Sequence, residues 1–192
     1  MYRTDEYYCY SMPELFSKYD INNIKNNISR FLCSKNLEVQ KFLTNNAIEF
    51  TVKHQAVTYL IYDNSNILSA YFTLAIKPIV ISVETLSKNN LNRILRISDI
   101  DNISNTVNPS AYLIAQLGKA DESTININDI FEFINYYINE FQNGCGGVVE
   151  FLESESNDKL ISIYQSIGFK TFNIRKSKSG EDRKLVQMYR LI

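Results

Sequence analysis

One stretch limits the folds open to this chain more than any other. Residues 112–117 (YLIAQL) form a short, mostly apolar run that stops at Gly118, with the length and composition of a buried strand. After the polar loop at residues 119–126 (KADESTIN), Ile127, Ile130, Phe131, Ile134, Tyr137, Ile138 and Phe141 recur at helical spacing. They mark out one apolar helix face. Asn143-Gly144-Cys145-Gly146-Gly147 then supplies residues that tolerate a left-handed backbone, and residues 148–152 read as another buried strand. Strand, helix and strand in that order bring parallel strands together and point to an α/β fold.

The flanking segments add antiparallel elements. Residues 56–62 (AVTYLIY) and 67–76 (ILSAYFTLAI) are rich in β-branched and aromatic residues and flank Asp63-Asn64-Ser65-Asn66, which reads as a hairpin ended by Pro78. Residues 6–10 make a candidate first strand, and 19–31 and 39–51 carry apolar residues at helical spacing. Residues 86–97 (LSKNNLNRILRI) read as a short amphipathic helix, and 98–109 as a polar connector. Near the C-terminus, Asn157 is placed to cap a helix over 158–167, Gly168 to end it, and 169–174 and 185–192 to close the sheet. The second strand, helix and strand succession, from residue 148 to 174, predicts a further parallel neighbour.

Composition bounds the function. The chain has 192 residues, 45% of them hydrophobic, which suits one domain with a sizeable core. Twenty basic residues face 21 acidic ones, so no global charge draws the chain to nucleic acid, and any basic surface is local. Arg175, Lys176, Lys178, Arg183 and Lys184 make one such cluster, diluted by Glu181 and Asp182, with Arg93 and Arg96 on the short helix. A solvated hairpin turn accounts for the first group more simply than RNA binding does. The cysteines, Cys9, Cys33 and Cys145, are scattered and odd in number, a pattern of free thiols in a reducing cytoplasm. No apolar run approaches the roughly 18 residues of a membrane span. The lone histidine, His54, offers neither a metal site nor a nucleophile's base, and reads as an ordinary helix-end residue.

Three segments carry a resemblance to a known family. Residues 157–169 (NDKLISIYQSIGF) match the pattern N-x-x-A-x-x-x-Y-x-x-x-G-F through Asn157, Tyr164, Gly168 and Phe169, with Leu160 in place of the small residue. Residues 31–47 (FLCSKNLEVQKFLTNNA) are similar to F-x-C-G-x-x-x-L-x-x-F-L-x-x-x-A, with slight offsets and Ser34 at the glycine. The helix at 86–97, placed before a strand ending in QLGK, is the third. The chain thus resembles the GCN5-related N-acetyltransferases, nearest the branch containing the tRNA-acetylating toxins. The resemblance implies one acetyltransferase-like domain over residues 1–192. Its central sheet would be mixed and mainly antiparallel, flanked by helices, with parallel central strands and an inserted short helix.

The same resemblance implies acetyl-CoA as the acyl donor and direct attack by an amine. Tyr164 is then the general acid, because a phenol of pKa about 10 can protonate a thiolate whose thiol has pKa about 8.5. Leu117, Gly118 and Lys119 would pair with the pantetheine arm as an added strand. Ser123, Thr124, Ile125, Asn126, Ile127 and Asn128 would face the pyrophosphate, and Asn157 would contact the cofactor from the next helix. A loop entering a helix exposes unpaired N–H groups that suit an anion, yet this one has no glycine, where the family usually reads Q/R-x-x-G-x-G/A, and it carries Asp121, Glu122 and Asp129. Ser123, Thr124 and Asn126 remain as side-chain donors, and Asn126 as a helix cap.

No carboxylate announces itself as general base; Glu84 and Glu150 are the candidates, each better explained as a solvent-facing or strand-end residue. Without a base, an α-amine of pKa near 8 suits the site better than a lysine amine near 10.4, which is compatible with aminoacyl-tRNA. The partners implied are a small amine or aminoacyl-tRNA, an antitoxin-like protein and a second copy of the chain, with no membrane. A different class fits the same residues: a degenerate acetyltransferase fold acting as a binding or regulatory module, motivated by the glycine-free acidic loop.

Overall fold

The strand expected at residues 6–10 forms, preceded by a shorter one. In the computed structural model, which describes residues 1–177 and 183–192, β1 (Tyr2–Arg3) and β2 (Tyr7–Ser11) run antiparallel. Ser11 turns the chain into α1 (Met12–Phe16): its hydroxyl accepts from the Glu14 N–H, and the Glu14 carboxylate accepts from the Ser11 N–H, a reciprocal cap. Asp20 caps α2 (Ile21–Ile28) by accepting from Asn22 and Asn23, and Ile24 and Ile28 turn inward. The helix expected over 39–51 is divided into α3 (Leu37–Lys41), a π turn (Phe42–Asn46) and α4 (Ala47–Val52). Thr44 donates to the Gln40 carbonyl at 3.2 Å within the π turn, the local competition with helix bonding that such side chains offer. His54 follows α4, exposed and at φ 55°.

The expected hairpin is β3 (Val57–Asp63) and β4 (Leu68–Pro78), antiparallel from Val57↔Leu74 to Tyr62↔Leu68. Asp63 Oδ1 accepts from the Ser65 and Ile67 amides, and Asn66 takes φ 62°, the left-handed step a tight turn needs. These elements belong to one compact unit, Met1–Ala75 with Ala115–Glu140. Its core gathers Met12, Ile28, Phe31, Leu43, Leu60 and Tyr71, all at most 2% exposed.

The second unit is Ile76–Ile114 with Phe141–Ile192. It contains β5 (Ile81–Ser82), α5 (Lys88–Ile94) capped by Ser87, β6 (Ile100–Asp101) and β7 (Thr106–Val107). The segment expected to be a plain connector therefore carries two short strands, joined to β5 in the order β5-β7-β6. Ile81, Val107 and Ile100 stand in register across them, so two apolar residues in a polar stretch suffice to recruit it to a core with Ile94, Val149, Phe151 and Tyr189.

The opening stretch folds as β8 (Ser110–Lys119), α6 (Ile127–Cys145) and β9 (Val149–Glu155), and β8 pairs with β9 in parallel, Tyr112↔Glu150 to Ile114↔Leu152. Gly147 lies at φ 121°, and a Cβ there would meet the Tyr112 ring at 2.7 Å, so glycine is required twice over. The chain ends with α7 (Asp158–Ser166), β10 (Lys170–Lys176) and β11 (Lys184–Leu191). The second parallel neighbour does not form: β11 pairs antiparallel with β9 on one side and β10 on the other, separating β9 from β10.

The main sheet runs β1-β2-β3-β4-β8-β9-β11-β10. It is the mixed, mainly antiparallel sheet flanked by helices that the resemblance implied. Among the described residues no helix is long and apolar enough to cross a membrane.

A charged pair lies inside the second unit. Glu150, expected to face solvent or sit at a strand end, is indeed the second residue of β9 but is fully buried, and the expectation of exposure is corrected by its cross-strand partner Arg190. Arg190 Nε donates to Glu150 Oε2 at 2.6 Å, while Oε1 has no hydrogen-bond partner. Burial accordingly raises the carboxyl above the usual carboxylate range, against the pull of Arg190. Replacing Arg190 with leucine leaves a buried charge uncompensated, and chemical denaturation should report a loss of about 3–5 kcal/mol.

Candidate functional site

In the first unit, β8 delivers Leu117, Gly118 and Lys119 to the start of the KADESTIN loop. Gly118 is buried beneath Tyr71, whose hydroxyl donates to the Val39 carbonyl at 2.6 Å. A Cβ on Gly118 would stand 2.5 Å from Tyr71 Cε1 and 2.6 Å from Val39 Cγ1. The glycine therefore serves a close approach between a strand, a ring and a helix. No signal in the sequence marked Tyr71 or Val39 as its neighbours.

The loop is held at nearly every step. The Ala120 N–H donates to the Ser69 carbonyl, and the Asp121 N–H to the Leu32 carbonyl, both at 2.9 Å. Both Asp121 oxygens accept from the Ser34 N–H, at 3.1 and 3.0 Å. Asp121 thus tethers the loop to the segment where Ser34 replaces a family glycine. Thr124 Oγ1 meets the Tyr7 hydroxyl at 3.1 Å, and Ile125 is fully buried as an anchor.

The α6 N-terminus closes on itself. Asn126 Oδ1 accepts from the Asn128 N–H at 2.8 Å and from the Asp129 N–H at 3.2 Å, while Asp129 Oδ2 accepts from the Asn126 N–H at 2.9 Å. This is a capping box with aspartate in the third helical position. Ser123 Oγ takes the Ile125 N–H at 3.2 Å, and the Ser123 N–H goes to Ala120. Several donors that a phosphate would need are therefore already satisfied within the chain.

In the second unit, Asn157 caps α7, its side-chain oxygen accepting from the Lys159 N–H at 3.0 Å and the Leu160 N–H at 3.3 Å. Gly168 ends the helix at φ 98°, and the Phe169 N–H returns to the Tyr164 carbonyl at 3.0 Å. Tyr164 is part-buried with its ring edge-on to Phe169, centroids 6.2 Å apart. Burial raises its phenol above the ordinary tyrosine value. Arg190 braces this turn: it donates to the Ile167 carbonyl at 3.0 Å and lies over the Phe169 ring at 5.0 Å. An arginine facing a glutamate across two strand-like segments was the available signal for this brace.

Of the remaining candidates, Glu84 is exposed on a short 3-10 turn (Val83–Thr85). Arg175 is paired with Glu153, Nε to Oε1 at 2.7 Å, and Arg183 approaches Glu155 at 3.9 Å, so the basic cluster is partly neutralised by carboxylates of the adjacent strand β9. Lys178, Glu181 and Asp182 lie outside the described residues. Arg93 donates to the Ile192 carbonyl.

Two substitutions separate these local devices. Gly118→Ala should cost about 1–3 kcal/mol in thermal or chemical unfolding, because backbone and ring must part. Asn157→Ala should cost about 1 kcal/mol through the lost cap.

No protein-family model matches the chain, and no curated protein matches it in sequence. Solved structures do match it. AtaT complexed with acetyl-methionyl-tRNAfMet is 15% identical with a TM-score of 0.64, over 94% of this chain and 93% of that one. A mutant AtaT toxin bound to the C-terminus of the antitoxin AtaR and acetyl-CoA is 14% identical with a TM-score of 0.61, over 97% and 94%. A chimera of the spermidine N-acetyltransferase SpeG from Vibrio cholerae and hSSAT is 15% identical with a TM-score of 0.55, over 96% and 94%. The chain has the fold of the GCN5-related N-acetyltransferases, as the three sequence segments implied.

Proposed function

We propose that this chain is an acetyl-CoA-dependent N-acetyltransferase, its residues 1–192 working as one acetyltransferase domain in the cytoplasm. The observation that carries the reading is α7: a family-like run in which Asn157 is the cap, Tyr164 is held on Phe169 and Gly168 supplies the left-handed stop. The fold likeness supports it, since SpeG is a spermidine N-acetyltransferase by name, and AtaT is found complexed with acetyl-methionyl-tRNAfMet and, as a mutant, with acetyl-CoA.

Acetyl-CoA, when bound, supplies an activated thioester. Leu117, Gly118 and Lys119, at the end of β8, would pair with its arm as an added strand, and one N–H there would polarise the thioester oxygen. The fit is poorer at the phosphates, where Ser123, Thr124, Ile125, Asn126, Ile127 and Asn128 lie between Asp121, Glu122 and Asp129, and the amides of Ser123, Ile125, Asn126 and Asn128 are engaged within the chain. Asn157 would contact the donor from the start of α7, a role compatible with its place as the helix cap. Tyr164 holds a proton for the departing sulfur. Transfer from an unperturbed phenol to a thiolate is uphill by roughly 1.5 pKa units, about 2 kcal/mol, and burial of Tyr164 makes it steeper, a deficit that positioning offsets.

The acceptor is an amine that reaches the site already neutral. Among the described residues, Glu84 is exposed and Glu150 is committed to Arg190, which leaves an α-amine of pKa near 8 better suited than a lysine. Aminoacyl-tRNA is such an amine and is our preferred acceptor, with a small amine as the competitor. An antitoxin-like protein is the expected partner. β10, the last strand in the order with Ile174 57% exposed, offers an edge to a second copy, and sedimentation showing only monomer would reject that dimer.

The engaged acidic loop favours a second reading, a binding or regulatory module without turnover. Calorimetry and mass spectrometry separate the two. The enzyme binds acetyl-CoA and acetylates methionyl-tRNA or a small amine; no binding at millimolar ligand removes the proposal. Tyr164→Phe should lower kcat by about 10²–10⁴-fold while donor affinity stays within a few-fold. Because burial raises the Tyr164 phenol, kcat should show no falling alkaline limb below pH about 10; its loss between pH 7 and 9 would remove Tyr164 as the acid.

A further inference from the structure

The α6 N-terminus differs from an open anion site in that its own side chains cap it. A free helix N-terminus attracts a phosphate through unpaired amides and the positive end of the helix dipole. Here Asn126 has taken the Asn128 and Asp129 amides, Asp129 has taken the Asn126 amide, and Ser123 has taken that of Ile125. The Asp129 carboxylate also sits in the first turn, where it already offsets the dipole. Exposed Glu122 and Asp121 add charge of the same sign, with Lys119 the nearby cation in sequence.

Glycine-rich loops leave their amides pointing outward because no side chain competes for them. KADESTIN does the reverse: its Ser123 and Asn126 side chains, with Asp129 of the first helical turn, bond backbone amides of the loop and of the helix start. Asp121 is further committed to Ser34, and Thr124 to Tyr7. The loop is therefore built to hold its own shape, at the expense of an anion.

We propose that the Asn126–Asp129 capping box shifts donor recognition from the pyrophosphate to the acyl-pantetheine arm, with Asp129 as the specificity-determining residue. The chain then accepts acyl-pantetheine thioesters that lack the nucleotide about as readily as acyl-CoA. This rests on the acetyl-CoA reading given above. It concerns affinity for one part of the donor and involves no change in the transfer chemistry.

The test is calorimetry on the full chain with acetyl-CoA and with acetyl-pantetheine, which has the same thioester and arm but no phosphate. The wild type should bind the two within about tenfold of each other. Added salt should leave acetyl-CoA affinity unchanged or improve it, since screening relieves carboxylate repulsion. Asp129→Asn removes the charge and keeps a cap acceptor. It should tighten acetyl-CoA by about three- to tenfold and leave acetyl-pantetheine unchanged. Asn126→Gly, which costs a cap only a few tenths of a kcal/mol, should move acetyl-CoA in the same direction, and thermal melts verify that both variants are folded. Acetyl-CoA binding more than a hundredfold tighter than acetyl-pantetheine, weakened by salt and unaffected by Asp129→Asn, would overturn the inference while leaving the acetyltransferase reading intact. Failure of both ligands to bind would overturn the two together.

Discussion

Everything in this fold follows from one connection: β8 enters α6 and the chain returns as β9, parallel to β8 from Tyr112↔Glu150 onward. A parallel return needs a crossover element, and the helix that provides it must begin just beyond the C-terminal end of β8. That requirement puts Leu117–Lys119, the loop and the α6 N-terminus in succession. The crossover ends at Gly146 and Gly147, whose positive φ angles of 72° and 121° let β9 start against the Tyr112 ring. Local chemistry and global topology agree at both ends of α6.

Much of this was readable beforehand, for identifiable reasons. The β3–β4 hairpin announced itself through two β-branched and aromatic runs around an Asp-Asn-Ser-Asn turn, and Asn66 adopts the left-handed backbone that such a turn asks for. The α7 cap at Asn157 and its stop at Gly168 were legible because capping and chain reversal depend on residue type at one position. The misreadings arose where tertiary partners decide. The placement of β11 between β9 and β10 depends on long-range pairing, and the strands β6 and β7 exist because Ile100 and Val107 find Ile81. Glu150 looked like a surface residue until its cross-strand neighbour was known.

The candidate site was half legible. The residue identities of Tyr164, Asn157 and Gly118 pointed to their places, but the wiring did not. Asp121 and Asp129 read as unfavourable charges beside a phosphate, whereas each accepts backbone hydrogen bonds that shape the loop. Arg190 was absent from the sequence reading altogether, although it joins Glu150, the Ile167 carbonyl and the Phe169 ring around the turn that follows Tyr164. Residues that act through neighbours distant in sequence leave little trace in spacing or composition.

The central claim is that the end of β8 receives the acyl donor's arm. A crystal structure of the chain with acetyl-CoA addresses it most directly. The arm should lie along the backbone of Leu117, Gly118 and Lys119, with the thioester oxygen accepting from an N–H of that segment at about 3 Å. Crystals grown in saturating acetyl-CoA that leave this strand end bare, or that place the ligand on another surface, would contradict the account.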